Sequence, residues 1–329
     1  MEKTIYDKMA DKIFLSGSKL IPQLFEMIAD KDEAELLMSM PGSPEDLAKG
    51  VGKSVDQVDG MCRTLYVKGL AFKSLRDGQT KYKMCRDLIQ FHDGTILWPE
   101  ATKAYHDLWQ TFMETEWPDY ARMITKLLPT AFTRVIAVEE AVDPGKQKIL
   151  DMDSVNTIID TSEVLAVTKC TCRVIAHKCD MPVEACIQVG NAARYTLDRG
   201  TGREITKEEA YALIKTCEEK GLVHVTMNKS HVGHFICNCC ECCCQTLPLI
   251  ISERLNLTAP SRFCAQVDPE ACSGCGTCVD RCKFKAIDII DDVAQINEEF
   301  CLGCGLCYGT CPETAIRLVE KRPVDFIPQ

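Results

Sequence analysis

The sequence predicts a multidomain α+β protein, because stretches with helical periodicity and stretches with strand-like patterns occupy different parts of the chain. Its 329 residues are enough for two or three domains, and a hydrophobic content of 46% is enough to bury a core. The chain also contains 22 cysteines, most of them in its second half. So many thiols require a role beyond ordinary packing.

The first predicted domain covers residues 1–94 and combines helices with a hairpin. Ser43 and Pro44 form an N-cap and first-turn pair ahead of one helix, and Ser54 with Gln57 forms a capping box ahead of the next. Two short runs, AFKSL and QTKYKM, flank an Arg-Asp-Gly turn and predict a hairpin. Across residues 31–90 this order of elements resembles a winged-helix domain.

Two further regions are predicted before the C-terminal segment. Residues 95–165 form a mostly helical linking region whose end becomes strand-like at VNTIID and EVLAVT. Residues 166–262 form a cysteine-rich α+β region that is predicted to bind metal or iron–sulfur clusters. Inside it, Thr206 and Glu209 form a capping box before a helix, and LVHVT predicts the strand that follows.

The cysteines are predicted to bind metal rather than to form disulfides. Disulfides suit small secreted domains. The start MEKTIYDKMADKIF lacks the apolar stretch of a secretory signal, so we expect a cytoplasmic location. Most of the cysteines are also too closely spaced to pair comfortably with one another. Thiolate-rich sites favour iron–sulfur clusters first and zinc second.

The last predicted domain, residues 263–329, contains one cysteine motif twice, 29 residues apart. The copies read CSGCGTCVDRC and CLGCGLCYGTC, and both have the spacing C-x2-C-x2-C-x3-C. Two intervening residues let three thiolates turn toward one [4Fe–4S] cluster, whereas the fourth cysteine lies too far along and reaches the other cluster. The predicted ligands are Cys272, Cys275, Cys278 and Cys311 for cluster 1, and Cys301, Cys304, Cys307 and Cys282 for cluster 2.

This duplicated spacing resembles bacterial-type ferredoxins that hold two [4Fe–4S] clusters. The ferredoxin pattern places proline after the fourth cysteine; Pro312 follows it, but Lys283 replaces the proline in the first copy. Because proline supplies no ligand, cluster binding should survive. The lysine is expected to raise the cluster's potential, to dock a partner or simply to be solvated. Residues 263–329 carry eleven acidic and six basic residues, a net charge of −5, which suits docking on basic patches of redox enzymes.

The cysteine-rich region contains ten cysteines besides Cys217, and these are enough to bind one or two further [4Fe–4S] clusters. Zinc at one site, with His177, His231 and His234 nearby, is an alternative. A cluster with an open iron that binds substrate is another. Cys62, Cys85, Cys217 and Cys264 stand alone in their segments and are predicted to be buried structural residues. One predicted ligand set is Cys170, Cys172, Cys179 and Cys186; the other is built on Cys237, Cys240 and Cys243, with Cys239, Cys242 or Cys244 as alternatives.

From about residue 90 onward the chain is similar to a group of proteins from anaerobes described as dicluster 4Fe–4S proteins. The similarity rests on the runs KCTCR and ICNCC-x-CCC and on the terminal pair of motifs. It implies electron transfer in anaerobic metabolism. The predicted function is therefore single-electron transfer between redox partner proteins, as a subunit of a larger oxidoreductase complex rather than as an enzyme in its own right.

The sequence also argues against several other classes of protein. A net charge of −10 argues against nucleic acid as the main partner, and no run of eighteen apolar residues predicts a transmembrane helix. Neither a Rossmann nor a P-loop motif occurs, although a flavin site leaves no short motif and stays open.

Two alternative functions remain at this point. One is a reductase whose middle region binds substrate at a cluster. The other is a redox-sensing DNA-binding regulator. Its recognition helix would run from Ser54 to Lys68 and carries no net positive charge, which phosphate contacts require. The wing of the winged-helix-like unit is nevertheless basic, with Lys73, Arg76, Lys81 and Lys83.

Overall fold

The computed structural model describes residues 2–76, 78–142, 149–231 and 233–329. The chain divides into two compact units. The first runs to Tyr120 and includes Val174–Ala176, and the second consists of Ala121–Arg173 and His177–Gln329. The architecture is mixed α+β, as predicted. Within the described ranges, no helix combines the length and the apolar character that crossing a membrane requires.

The first unit is mainly helical, and its local sequence signals explain where the helices start. Ser43 caps one helix by accepting a hydrogen bond from the backbone of Asp46, and the predicted capping box of Ser54 and Gln57 is present. The elements are α1 (Ile5–Lys12), α2 (Ile21–Ile28), α3 (Lys31–Ser39), α4 (Pro44–Val51), α5 (Val55–Lys68), β1 (Ala71–Arg76), β2 (Gln79–Met84), α6 (Leu88–Ile96) and α7 (Lys103–Thr115).

Strands β1 and β2 form the predicted antiparallel hairpin, with Ala71 paired to Met84. Gly42, ahead of α4, forms an isolated bridge with Tyr82 of the hairpin. In the predicted turn, Asp77 lies outside the described residues, and so does the side chain of Arg76. Helix α8 (Trp117–Leu127) spans the position at which the chain divides.

The second unit is built on a seven-stranded sheet in the order β6-β4-β5-β8-β7-β3-β9. Neighbouring strands are antiparallel except β3 and β9, which are parallel. The strands are β3 (Thr133–Val135), β4 (Leu165–Lys169), β5 (Glu184–Val189), β6 (Gly202–Glu204), β7 (Val223–Met227), β8 (Phe235–Cys239) and β9 (Thr258–Ala259). The helices are α9 (Val155–Thr161), α10 (Thr171–Ala176), α11 (Asn191–Asp198), α12 (Lys207–Glu219) and α13 (Leu247–Glu253).

The core of the second unit covers one face of this sheet. Ile187 of β5 and Ile236 of β8 are paired across the two strands, and both pack in a hydrophobic cluster with side chains of α9 and α12. Successive side chains of a strand point to opposite faces. Cys186 and Cys237, each next to one of these isoleucines, are therefore directed to the face opposite the core.

Two small antiparallel sheets make up the C-terminal part of the second unit. Strand β10 (Phe263–Val267) pairs with β13 (Ile316–Glu320), and β11 (Ile287–Ile290) pairs with β12 (Val293–Ile296). Helix α14 (Thr277–Arg281) follows the first cysteine motif. The apolar runs after Ala286 and Ala315 form strands β11 and β13, each paired with a strand outside the two motifs.

One element differs from the sequence-based prediction. Residues VNTIID, predicted to be strand-like, lie in helix α9. Ser154 caps this helix by accepting a hydrogen bond from the backbone of Thr157. Val155, Ile158 and Ile159 are buried at the i, i+3, i+4 spacing of a helix face, and this period, rather than the apolar content, determines the structure.

Candidate metal centres

Each half of the duplicated motif contributes thiols to two separate cavities in the C-terminal part of the second unit. The short helix α14 and a 3-10 turn at Tyr308–Thr310 bring the fourth cysteine of each motif toward the loop of the other. The first cavity is lined by Cys272, Cys275, Cys278 and Cys311. The second is lined by Cys282, Cys301, Cys304 and Cys307. The structure therefore brings together the two sets that the sequence analysis grouped, although the ligands themselves stay a prediction.

Backbone amides point at several of these thiols. The backbone N–H groups of Ala265 and Ala286 donate to the Sγ atoms of Cys301 and Cys282, at 3.5 and 3.3 Å. Those of Ala294 and Ala315 donate to Cys272 and Cys311, at 3.4 and 3.3 Å. Such donors stabilise a thiolate and tune a bound cluster. Both cavities thus suit [4Fe–4S] clusters in donor type and in surroundings.

Gly274 illustrates how tightly the first motif is folded. Its φ of +64° belongs to the left-handed region, and a Cβ there would overlap the carbonyl oxygen of Asp292. Gly200, between α11 and β6, has a similar φ of +68°, but a Cβ there would meet no atom within 4 Å. Alanine at position 200 would therefore add only backbone strain, whereas alanine at position 274 would add both backbone strain and a steric collision.

We expect Gly274→Ala to lower the occupancy of the first cluster sharply, because the loop that carries Cys272 and Cys275 must move away from Asp292. Gly200→Ala should cost only about 1 kcal/mol from the left-handed backbone. The measurement is iron per chain and the visible absorbance of the clusters after anaerobic purification. Equal iron contents in the two variants would contradict the predicted collision.

Cys264 was predicted from the sequence to be structural, and the structure places it beside the second cavity. It is buried, and a hydrogen bond between its thiol and Cys301 lowers the pKa of Cys301 to about 6. Cys62 and Cys217 are buried as well, and desolvation raises the pKa of each thiol to about 12. No motif spacing includes Cys264, and only its position on β10 brings it next to a predicted ligand.

Lys283, which replaces the expected proline, is not a solvated side chain. Its Nζ lies 2.8 Å from Oε1 of Glu241, and the lysine side chain is only 17% exposed. Glu241 stands between Cys240 and Cys242 in the cysteine-rich turn after β8. The ion pair therefore joins the ferredoxin-like segment to the cysteine-rich region.

The ten middle cysteines form two groups in space. The four-thiol set contains Cys179, Cys240, Cys242 and Cys243, whose Sγ atoms all lie within 4.8 Å of one another. The six-thiol set is a closed series of neighbouring thiols, each of which interacts with the next. It runs from Cys170 to Cys172, Cys244, Cys239, Cys237 and Cys186 and returns to Cys170.

This grouping differs from the predicted division. Cys179 was assigned to the set of Cys170, Cys172 and Cys186, but it lies with the second run of cysteines. Cys237 was grouped with Cys240 and Cys243, but it faces Cys186 across neighbouring strands. The reason is strand alternation, because Cys237 and Cys239 share one face of β8 while the chain turns at Cys240.

His177, His231 and His234 were considered as zinc ligands. The group of closely spaced metal-binding side chains identified among the described residues consists of four cysteines and includes none of these histidines.

Comparison with known families gives one match. Residues 271–316 match the 4Fe-4S dicluster domain, and this range contains all eight cysteines that line the two cavities. Neither the curated proteins nor the solved structures contain a match to this chain. Residues 271–316 therefore form a 4Fe–4S dicluster domain, which indicates iron–sulfur electron transfer.

Proposed function

We propose that this chain passes single electrons between redox partner proteins as a subunit of an oxidoreductase complex in anaerobic metabolism. The observation that carries the proposal is the pair of thiol-lined cavities within the segment that matches the dicluster domain. When bound, each [4Fe–4S] cluster supplies reversible one-electron redox chemistry. Cys272, Cys275, Cys278 and Cys311 would hold one cluster, and Cys282, Cys301, Cys304 and Cys307 the other.

The thiols of the two cavities differ in exposure, and we propose different roles for the two clusters on this basis. Cys275 is exposed, whereas Cys301 and Cys307 are buried. A cluster ligand at the surface shortens the distance that an electron must cover to a docked partner. We therefore propose that the cluster in the first cavity exchanges electrons with the partner protein. The second cavity contains two buried thiols and adjoins a third, that of Cys264.

The hairpin of β11 and β12 is the proposed docking surface for that partner. Ile289 lines the first cavity and, like its neighbour Ile290, is exposed. Ile289 and Ile290 point to opposite faces of β11, and the exposed residues Asp288, Asp291 and Asp292 lie beside them along the hairpin. A hairpin with exposed apolar side chains and three carboxylates is complementary to a redox protein that carries a basic patch.

The first test of this function uses the full chain purified without oxygen. We expect about eight iron atoms and eight sulfides from the dicluster domain, and about four more of each if the six-thiol set holds a further cluster. After reduction, the protein should deliver electrons to a basic c-type cytochrome at a rate that falls with ionic strength. An iron content well below eight, or a reduced protein that gives up no electrons, would overturn the proposal.

The docking surface has its own control. Asp291→Lys with Asp292→Lys should slow electron delivery to the basic cytochrome at low salt, with iron content unchanged. Glu204→Lys with Glu208→Lys makes the same charge change on exposed residues of β6 and α12 and should leave the rate unaffected. Equal slowing by both pairs would mean that net charge alone, rather than this hairpin, guides the partner.

The candidate recognition helix gives no support to a DNA-binding role. Lys68 lies 2.7 Å from Glu33, and Arg63 pairs with Asp59 on the same helix. Both basic residues of α5 lie beside carboxylates, so the helix offers no net positive charge to attract phosphates. We propose that the first unit docks protein partners instead.

A further inference from the structure

We propose that the four-thiol set of Cys179, Cys240, Cys242 and Cys243 binds a single tetrahedral Zn²⁺ ion, as a structural site separate from the iron–sulfur clusters. The site combines a distant cysteine, in the loop between α10 and β5, with three from the turn after β8. Within that turn, Cys240 and Cys243 have the C-x2-C spacing of structural zinc sites. Four ligands with no open position are typical of structural rather than catalytic zinc.

The sulfur–sulfur distances support a mononuclear ion. The Sγ atom of Cys179 lies 3.9 Å from that of Cys240 and 3.6 Å from that of Cys243. The Sγ atoms of Cys242 and Cys243 are 3.8 Å apart. Zinc–sulfur bonds of about 2.3 Å in a tetrahedron place the sulfurs about 3.8 Å from one another.

The same distances are too short for a [4Fe–4S] cube. In a cube each thiolate binds its own iron, so the four sulfurs must spread over a cluster of four metal ions rather than converge on one. The six-thiol set, whose members enclose a ring, offers a wider arrangement. The middle region is therefore divided into one compact site and one extended site.

The surroundings of the four-thiol set suit its charge. Four thiolates around one Zn²⁺ ion give the site a net charge of about −2. Arg173 is 2% exposed, and its guanidinium hydrogen bonds to the thiol of Cys240. It also donates to the carbonyl oxygens of Pro182 and Asn238, at 2.8 and 2.6 Å, which fixes its position. A buried cation held in this way offsets the site's charge and orients a ligand.

Zinc at this position would tie the loop before β5 to the turn after β8. Cys179 is 61 residues from Cys240 along the chain, so the ion closes a long loop. The same turn carries Glu241, the partner of Lys283. We therefore assign the zinc site the role of fixing this turn, and with it the contact to the dicluster domain.

The test begins with the unaltered full chain, purified without oxygen. We expect about one zinc per chain, with zinc X-ray absorption that fits four sulfurs at about 2.3 Å. Absence of zinc, a single iron in its place, or a mixed nitrogen and sulfur shell would overturn the proposal. This measurement does not depend on the folding of any variant.

Variants then locate the ion. Cys242→Ser should lose most of the zinc while iron and sulfide stay at their original values. Cys217→Ala removes a buried thiol that belongs to neither set and should keep both metals. Loss of iron and sulfide with zinc retained in Cys242→Ser, but not in Cys217→Ala, would mean that the site holds a cluster and would overturn the proposal. Because the dicluster domain binds its iron elsewhere, either result leaves the proposed electron transfer untouched.

Discussion

Replacing Cys275 and Cys311 together with alanine is expected to remove one [4Fe–4S] cluster, whereas replacing Cys304 and Cys311 together is expected to remove two. The reason is the crossed arrangement. Cys275 and Cys311 line the same cavity, although 36 positions separate them, whereas Cys304 and Cys311 belong to the same motif but line different cavities. Both variants lose two thiols, so they differ only in how the lost thiols are distributed.

The measurement is the number of spins from reduced [4Fe–4S] clusters, integrated by electron paramagnetic resonance in the fully reduced protein. Relative to the unaltered chain, we expect a loss of about one spin for Cys275→Ala with Cys311→Ala and about two for Cys304→Ala with Cys311→Ala. Counting intact four-iron clusters avoids confusion with three-iron products that retain some iron. Cys217→Ala serves as the control for removal of a thiol.

The reverse pattern would show that each motif supplies all four ligands of its own cluster. That result would contradict the crossed assignment while leaving the dicluster domain intact. Equal losses in both variants would mean that the two clusters assemble only together, which would also contradict the assignment of independent ligand sets.

The sequence predicted those features whose signals are local. The capping boxes at Ser54 and Thr206 are present at the starts of α5 and α12, because a cap involves only residues three positions apart. The motif spacing likewise predicted which thiols would lie close together in the C-terminal part, since the rule needs only positions along the chain.

The grouping of the middle cysteines could not be predicted in this way. Cys243 and Cys244 are adjacent in sequence, but Cys243 contacts Cys179 while Cys244 contacts Cys172. Which thiol joins which set depends on the face of β8 and on the turn after it, and these follow from the pairing of distant strands. The partners of Cys264 and of Lys283 are likewise set by tertiary structure.

A stability prediction concerns Asp153, a buried carboxylate that lies between two buried arginines. Its Oδ2 accepts a hydrogen bond from Nε of Arg262 at 2.7 Å, and the two side chains are 2% and 1% exposed. Arg134 is 1% exposed, and it interacts favourably with Asp153 and unfavourably with Arg262. The other oxygen of Asp153 has no hydrogen-bond partner among the described residues. Asp153 is therefore the buried carboxylate that faces both cations, while Arg262 has a second partner in Glu320, whose Oε1 lies 3.0 Å from its Nη1.

Asp153→Asn keeps the shape of the side chain but removes its charge, so the second unit should lose about 3–5 kcal/mol of stability. Glu184→Gln is the matched control, because Glu184 pairs with Arg203 on the surface, where both side chains are about half exposed. Breaking that pair should cost about 1 kcal/mol or less.

Hydrogen exchange of the paired strands β10 and β13 measures this change within the second unit, without assuming that the whole chain unfolds in one step. Their slowest amides should exchange more than about a hundredfold faster in Asp153→Asn, as a loss of about 3 kcal/mol requires, and only a few-fold faster in Glu184→Gln. If the two variants exchanged alike, other groups, such as Glu320 beside Arg262, would stabilise the buried arginines, and the assignment of that role to Asp153 would be wrong. Arg262 directly precedes β10 and its backbone carbonyl accepts from Lys321 after β13, so loss of its partner reaches the strands that flank both cluster cavities. An accompanying increase in the rate of iron loss would therefore be expected in Asp153→Asn alone.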